Sequence, residues 1–239
     1  MIGSSESGAN EKGARRSPCS PAPNGDGRYA NGIPRTGAPM PYNDFSLESA
    51  ETLLDVRSRP GELFPDRVPV SVPGWLTELL ARGQQFALVS EKARSEFIVA
   101  PILLASRELS GNVLAIFSGQ RLDVDPERGL TGECDFILAL ADPVPRLRAP
   151  FVTVVEAKKN DIEAGLGQCV AQMTGVRVFN EREGQPGRVF ACVTTGEAWQ
   201  FLRLDGAEVI LDRERLYIDN VGGILATFQA ILADRRTSP

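Results

Sequence analysis

The chain has 239 residues, 42% hydrophobic and 24% charged, with a formal net charge of −5, which suits one soluble globular domain with room for an appendage. It contains no histidine, and that excludes Ser-His-Asp and Cys-His catalysis together with His-ligated zinc or non-haem iron. Proton transfer must run through Asp, Glu, Lys, Tyr, Cys or metal-bound water, and the acidic balance excludes a protein that coats nucleic acid by bulk charge, though not one with a local basic groove.

Residues 1–43 hold seven Gly, six Pro, five Ser and four Asn and no Leu, Val, Phe or Trp. Such a segment buries too little apolar surface to offset its ordering entropy, so it reads as a disordered tail. Its charge is +2, leaving −7 for residues 44–239; it reads as a plain linker, with a weakly basic tether for DNA as the alternative. The start lacks the apolar stretch of a signal peptide. The best apolar run, Phe97–Ala105, contains Pro101 and falls far short of the ~20 residues of a membrane span, so no membrane partner is expected. Cys19, Cys134, Cys169 and Cys192 form no CxxC pair. Three of them lie in apolar contexts and read as small buried residues, which fits a reduced, cytoplasmic setting.

From Tyr42 onward the pattern predicts order. Leu47, Ala50, Leu53 and Leu54 have helical spacing behind Ser46 or Asp44 as cap, and after a Pro-broken stretch a short helix carries Trp75, Leu76, Leu79 and Leu80 and ends at Gly83. Glu91 to Leu109 reads as a helix that Pro101 should kink or split. Val113–Phe117, Glu133–Leu140 and Phe151–Lys158 read as strands, and Ile162, Leu166, Val170, Met173 and Val176 mark a long helix. Val189–Thr195 is a buried strand, Trp199–Leu204 and Val209–Leu211 a hairpin across Asp205-Gly206, and Ile224, Leu225, Phe228, Ile231 and Leu232 one face of a closing helix. The expected class is α/β with a mixed sheet: an α-β-β-β-α-β core over about 91–195 inside a single domain, 44–239, with N-terminal helices, a following hairpin and a C-terminal helix.

One constellation carries chemistry. Glu156 and Lys158, in Glu156-Ala157-Lys158, are two apart on a strand and share a face. That strand is apolar on both sides, hence central in its sheet. Taken alone, the pair is a strand-end salt bridge at the surface. Asp135, at the start of the preceding strand, can be brought beside Glu156. Two carboxylates, a backbone carbonyl and waters suit Mg²⁺, a metal there polarises a phosphate oxygen and supplies hydroxide, and Lys158 can hold the phosphate or the attacking water.

Asp135 followed by Glu156-Ala157-Lys158 resembles the D…E-x-K signature of the PD-(D/E)XK nuclease superfamily, whose restriction-endonuclease-like core has the same element order. Glu96, on the preceding helix, matches the family's additional metal-site glutamate. Gln168, on the following helix, matches the glutamine of several branches, including type I restriction subunits and some RecB-like nucleases, and Gln172 lies one turn later on the same face. The proline that often precedes the aspartate is replaced by Cys134. The wider stretch from Tyr42, with EKARSEFIVAP, GLGQC, FNERE, VTTG and YIDNVG, is similar to a set of uncharacterised bacterial proteins. The superfamily resemblance implies a Mg²⁺- or Mn²⁺-dependent endonuclease acting on DNA. Asp135, Glu156 and Glu96 would serve the metal, Lys158 would position the nucleophile or stabilise phosphorane charge, and Gln168 would orient Lys158 or the phosphate. The small size points to partners or self-association for specificity, as a homodimer or within a larger restriction or repair assembly. The competing readings are a catalytically silent nuclease-fold module that binds nucleic acid or a partner, and a metal phosphoesterase for small molecules. Lys159, Arg177, Arg182 and Arg188 can be phosphate contacts or scattered surface charge, and Trp199 reads as core.

Overall fold

The computed structural model describes residues 40–86, 90–142, 146–158 and 160–237. In chain order its main elements are α1 (Leu47–Leu54), β1 (Arg57–Gly61), α2 (Gly74–Gly83), α3 (Glu91–Arg94), a π-helical turn (Ser95–Val99), α4 (Ala100–Leu109), β2 (Ala115–Arg121), β3 (Glu133–Ala139), β4 (Phe151–Ala157), α5 (Glu163–Arg182), β5 (Val189–Thr194), β6 (Ala198–Asp205), β7 (Glu208–Asp212), β8 (Leu216–Tyr217) and α6 (Val221–Thr237). One mixed sheet runs β1-β7-β6-β5-β4-β3-β2, with β8 on β6. The β1–β7 and β4–β5 pairs are parallel and the others antiparallel.

Every residue of β4 and β5 is buried, as the unbroken apolar runs require of strands covered on both faces. One face packs under α1 and α5, with Tyr42, Phe45, Leu54, Met173 and Val176 in that core. The other packs under α2, α4 and α6, with Leu76, Ile102, Trp199, Ile224 and Phe228. Trp199 is core, edge-on to Phe228. Cys134, Cys169 and Cys192 are buried free thiols; burial pushes each thiol up.

Local chemistry explains the element ends. Ser46 caps α1 by accepting from the Ser49 N–H, and Ser49 returns the bond to the Ser46 N–H. Gly206 opens the β6–β7 turn with φ 57°, a backbone that glycine adopts without a steric cost. Pro101 has no N–H to give, and just before it the helix winds into the π turn, where Ala100 N–H bonds Ser95 O. The expected kink is therefore a change of helical register.

Several boundaries differ from the sequence pattern. The tail drawn as 1–43 lies outside the described residues up to 39, and its last part is folded: Met40 and Tyr42 are buried, and Gly175 of α5 has no side chain where the Tyr42 ring lies. Strand β1 occupies part of the stretch expected to be broken by proline. It is an edge strand, paired with β7 alone, where Pro60 is tolerated. At the opposite edge β2 runs on to Arg121 through exposed Ser118–Arg121, polar residues whose strand character comes from pairing with β3. No helix among the described residues is long and apolar enough to cross a membrane.

Candidate active site

Strand β4 carries Glu156 to its end, and Lys158 follows with its N–H donated to Thr194 O of β5 at 2.7 Å. The last paired rung between β3 and β4 is Phe136↔Val155. One step further the Asp135 carboxylate takes over from backbone pairing: Oδ2 accepts the Ala157 N–H at 2.7 Å. Asp135 and Glu156 thus meet where the two strands stop pairing.

Helix α5 closes the site from one side. It can pass over the strand end because residue 165 is glycine: a Cβ there would lie 2.7 Å from Val193 Cγ1 and 3.0 Å from Lys158 Cγ. Gly167 serves a different approach, against the backbone of Phe45–Leu47. Gln168 and Gln172, one turn apart, both reach Glu156. Gln168 Nε2 donates to Glu156 Oε1 at 2.6 Å, and Gln168 Oε1 accepts from Lys158 Nζ at 2.8 Å. Lys158 Nζ also donates to Glu156 Oε1 at 2.9 Å. Gln172 Nε2 donates to Glu156 Oε2 at 2.8 Å, while its own Oε1 is buried without a partner.

The electrostatics follow from this packing. Glu156 is 3% exposed; burial, then the Asp135 charge, pushes it up to about 7 against the pull of Lys158 and Gln172. Burial also raises Asp135, opposed by the Ala157 N–H and Lys158. Burial would lower Lys158, but the adjoining Glu156, with smaller contributions from Glu91 and Asp135, lifts it above the ordinary lysine value.

Asp135, Glu156, Lys158 and Gln168 are therefore brought together. Glu96 is not in that hydrogen-bonded set: its side chain is 54% exposed and sits 3.8 Å from Lys92 Nζ. It lines, with Glu91, Lys92, Ser95, Glu133 and Asp135, a cavity of about 450 Å³ in front of Asp135. Glu91 is the group that sequence reasoning missed. It raises both Asp135 and Lys158, and its only sequence signal, an acid after Ser90 in a first helical turn, reads as a helix start. Gln172 was seen as sharing Gln168's face, without its direct bond to Glu156. Of the scattered basic residues, Arg177 bonds Gly206 O, Arg182 bonds Val124 O and Arg188 pairs with Asp205 and Asp234, all surface partnerships; Lys159 lies outside the described residues.

Among the described residues no three Asp, Glu, Cys or His side chains form a metal-holding group. Two carboxylates nevertheless suit Mg²⁺, which keeps several waters, and fall short of Ca²⁺, which takes about 6–8 oxygens. Glu156 Oε2 and Asp135 Oδ2 each accept one donor, so both carboxylates retain acceptor capacity for a cation. No protein-family model matches the chain, and no curated protein matches its sequence.

Proposed function

We propose that the chain is a metal-dependent nuclease that hydrolyses DNA phosphodiester bonds on a restriction-endonuclease-like core. The observation that carries this reading is the convergence of Asp135, Glu156, Lys158 and Gln168 at the end of central strand β4. The order α4-β2-β3-β4-α5-β5, with β4 antiparallel to β3 and parallel to β5, supports it. Asp135 and Glu156 would hold Mg²⁺ or Mn²⁺, with Glu96 acting from the cavity wall through water. Such an ion, when bound, would polarise a phosphate oxygen and make a bound water more acidic.

The chain's own groups do the positioning. Lys158 is held by two acceptors, so its ammonium is preorganised for charge that develops on the phosphate in the transition state. Gln168 fixes that amine and Glu156 together through the two ends of one amide. Gln172 holds the second oxygen of Glu156 from the dry side.

A catalytically silent module that binds nucleic acid or a partner is the second reading. The acidic wall beside Asp135 favours its partner-binding form, since Glu91, Glu96 and Glu133 stand there with Lys92, a weak lure for a polyanion. Incubating the protein with supercoiled, linear and branched DNA in Mg²⁺, Mn²⁺ or EDTA separates the two. Metal-dependent cleavage lost in Asp135→Ala is the expected result. Binding without cleavage in every metal would establish the silent module.

A further inference from the structure

The α3 helix and its π turn have a second flank, and a cavity of about 700 Å³ opens there, lined by Phe86, Arg94, Ile98, Thr195, Gly196 and Tyr217 among others. Its size is that of a small-molecule pocket, about 300–1,000 Å³. We infer that this cavity is a nucleobase subsite, taking one unstacked base of the strand whose phosphate lies at Lys158. The inference rests on the nuclease reading and names its substrate class: single-stranded or locally unpaired DNA.

Position is the first argument. Thr194, whose carbonyl accepts the Lys158 N–H at 2.7 Å, is followed directly by Thr195 and Gly196 of the cavity. The cavity thus starts one residue from the rung that seats Lys158, about 3.8 Å along the chain. The walls are the second argument. Ile98 is buried beneath, while Phe86 and Tyr217 are 56% and 53% exposed. Neither ring is covered: Phe86 stacks on Phe97 at 4.7 Å, and the backbone that carries Tyr217 is fixed by its pairing with Ala198. Flat, preset, half-exposed rings are what a base stacks on, whatever its sequence.

Charge is the third argument, and it selects the base over the phosphate. Among the described lining residues the one cation is Arg94, whose Nη1 donates to Thr195 O at 2.8 Å and lies 3.3 Å from Glu197 Oε1, while its buried Nε has no partner. Glu197 and Asp219 then leave the rim net negative, with Gln84 beside them. A phosphate is repelled from such a rim. The exocyclic amines of adenine, cytosine and guanine are donors to it, and thymine has none.

The probe is a short single-stranded oligonucleotide with one 2-aminopurine, titrated in EDTA so that nothing is cut. Binding to the wild-type protein should change the 2-aminopurine fluorescence. Tyr217→Ala and Phe86→Ala, both at exposed rings, should each weaken binding about 5- to 100-fold with thermal stability retained. Replacing the 2-aminopurine by thymine should weaken it as well, read by anisotropy of an end label. Free 2-aminopurine riboside should bind far more weakly than the strand; equal affinity would make this a mononucleotide site and overturn the inference. So would unchanged affinity in both variants or for an abasic residue. Adding Mg²⁺ to the same oligonucleotide keeps the two readings apart. Cleavage with no effect of Tyr217→Ala on binding rejects the subsite and leaves the nuclease. Base-dependent binding through Tyr217 with no cleavage in Mg²⁺ or Mn²⁺ upholds the base site and rejects the nuclease.

Discussion

The end of β4 has a dry side and a wet side, and they differ in how deeply their polar groups are buried. Toward α5, Glu156, Gln168 and Gln172 are buried; Glu156 Oε1 accepts from Lys158 and Gln168, and Oε2 accepts from Gln172. Toward α3, Glu91 and Glu96 are exposed, and Glu96 faces Lys92 across 3.8 Å in solvent. A buried carboxylate is tolerated only when paired and hydrogen-bonded, so the dry side dictates one geometry. The wet side has no such obligation and is where an ion or a strand can arrive. Preorganisation and access are thus split between two helices that flank one strand end.

Lys158→Ala breaks the dry side most severely. It should lower cleavage by about 10²–10³-fold or more, the scale of losing a donor aimed at transition-state charge, while oligonucleotide affinity in EDTA stays within a few-fold. Single-turnover cleavage beside anisotropy measures both. Equal cleavage by variant and wild type, with contaminating nuclease excluded, would reduce Glu156–Lys158 to a strand-end ion pair.

Gln172 tests whether the dry side positions rather than merely packs. Gln172→Met keeps the bulk and removes the donor to Glu156 Oε2. Groups that orient a metal-site ligand are worth about 10–100-fold, and a loss of that size in cleavage is expected. A packing role alone would leave the pH profile in place. Because the Gln172 bond pulls Glu156 down, its removal should shift the acid limb of the rate profile to higher pH.

The contrast between the two sides also explains what could be read from sequence. Glu156 and Lys158 were legible because two charges two apart at the end of an apolar strand share a face, Asp135 because it starts the preceding strand, and Gln168 only through its match to the glutamine of the resembling family. The order of the central elements was legible because β4 and β5 are dominated by apolar residues on both faces. Strand β1 was not, since an edge strand pairs through its backbone and its Arg-Ser-Arg-Pro-Gly sequence carries no alternation. Glu91 was hidden because its effect on Asp135 and Lys158 depends on where the N-terminus of α3 meets the sheet. The fit of Tyr42 against Gly175 was hidden because composition averaged over 1–43 masked two buried residues at its end.

Glu156 predicts a pH dependence of stability on the dry side. Its folded value, about 7, lies above the ordinary 4.5, so the folded protein holds this proton more tightly than the unfolded chain does. The associated stability is complete below about 4.5 and is lost as pH rises through 7, on the order of 3 kcal/mol in all. Lys158 stays charged across that window and adds no slope. Glu156→Gln should therefore flatten the wild-type fall in stability between pH 5 and pH 8, measured by urea unfolding. Bound Mg²⁺ competes for the same carboxylate and should flatten it too, with proton release on binding near pH 7.

The smallest effect belongs to the wet side. Glu96 pairs with Lys92 at 3.8 Å, with 54% and 83% of the two side chains exposed, and exposed i, i+4 pairs contribute about 0.3–0.5 kcal/mol. Glu96→Gln should leave urea stability within about 0.5 kcal/mol. If Glu96 reaches the ion only through water, cleavage at saturating Mg²⁺ should fall no more than about threefold, with a modest rise in the Mg²⁺ needed for half-maximal rate, because Asp135 and Glu156, the proposed ligands, would still supply the charge. A loss approaching that of Lys158→Ala would mean that the π turn carries Glu96 inward when metal and DNA bind. The wet side would then be a moving part of the active site, and the division between preorganised and accessible halves would hold only for the free protein.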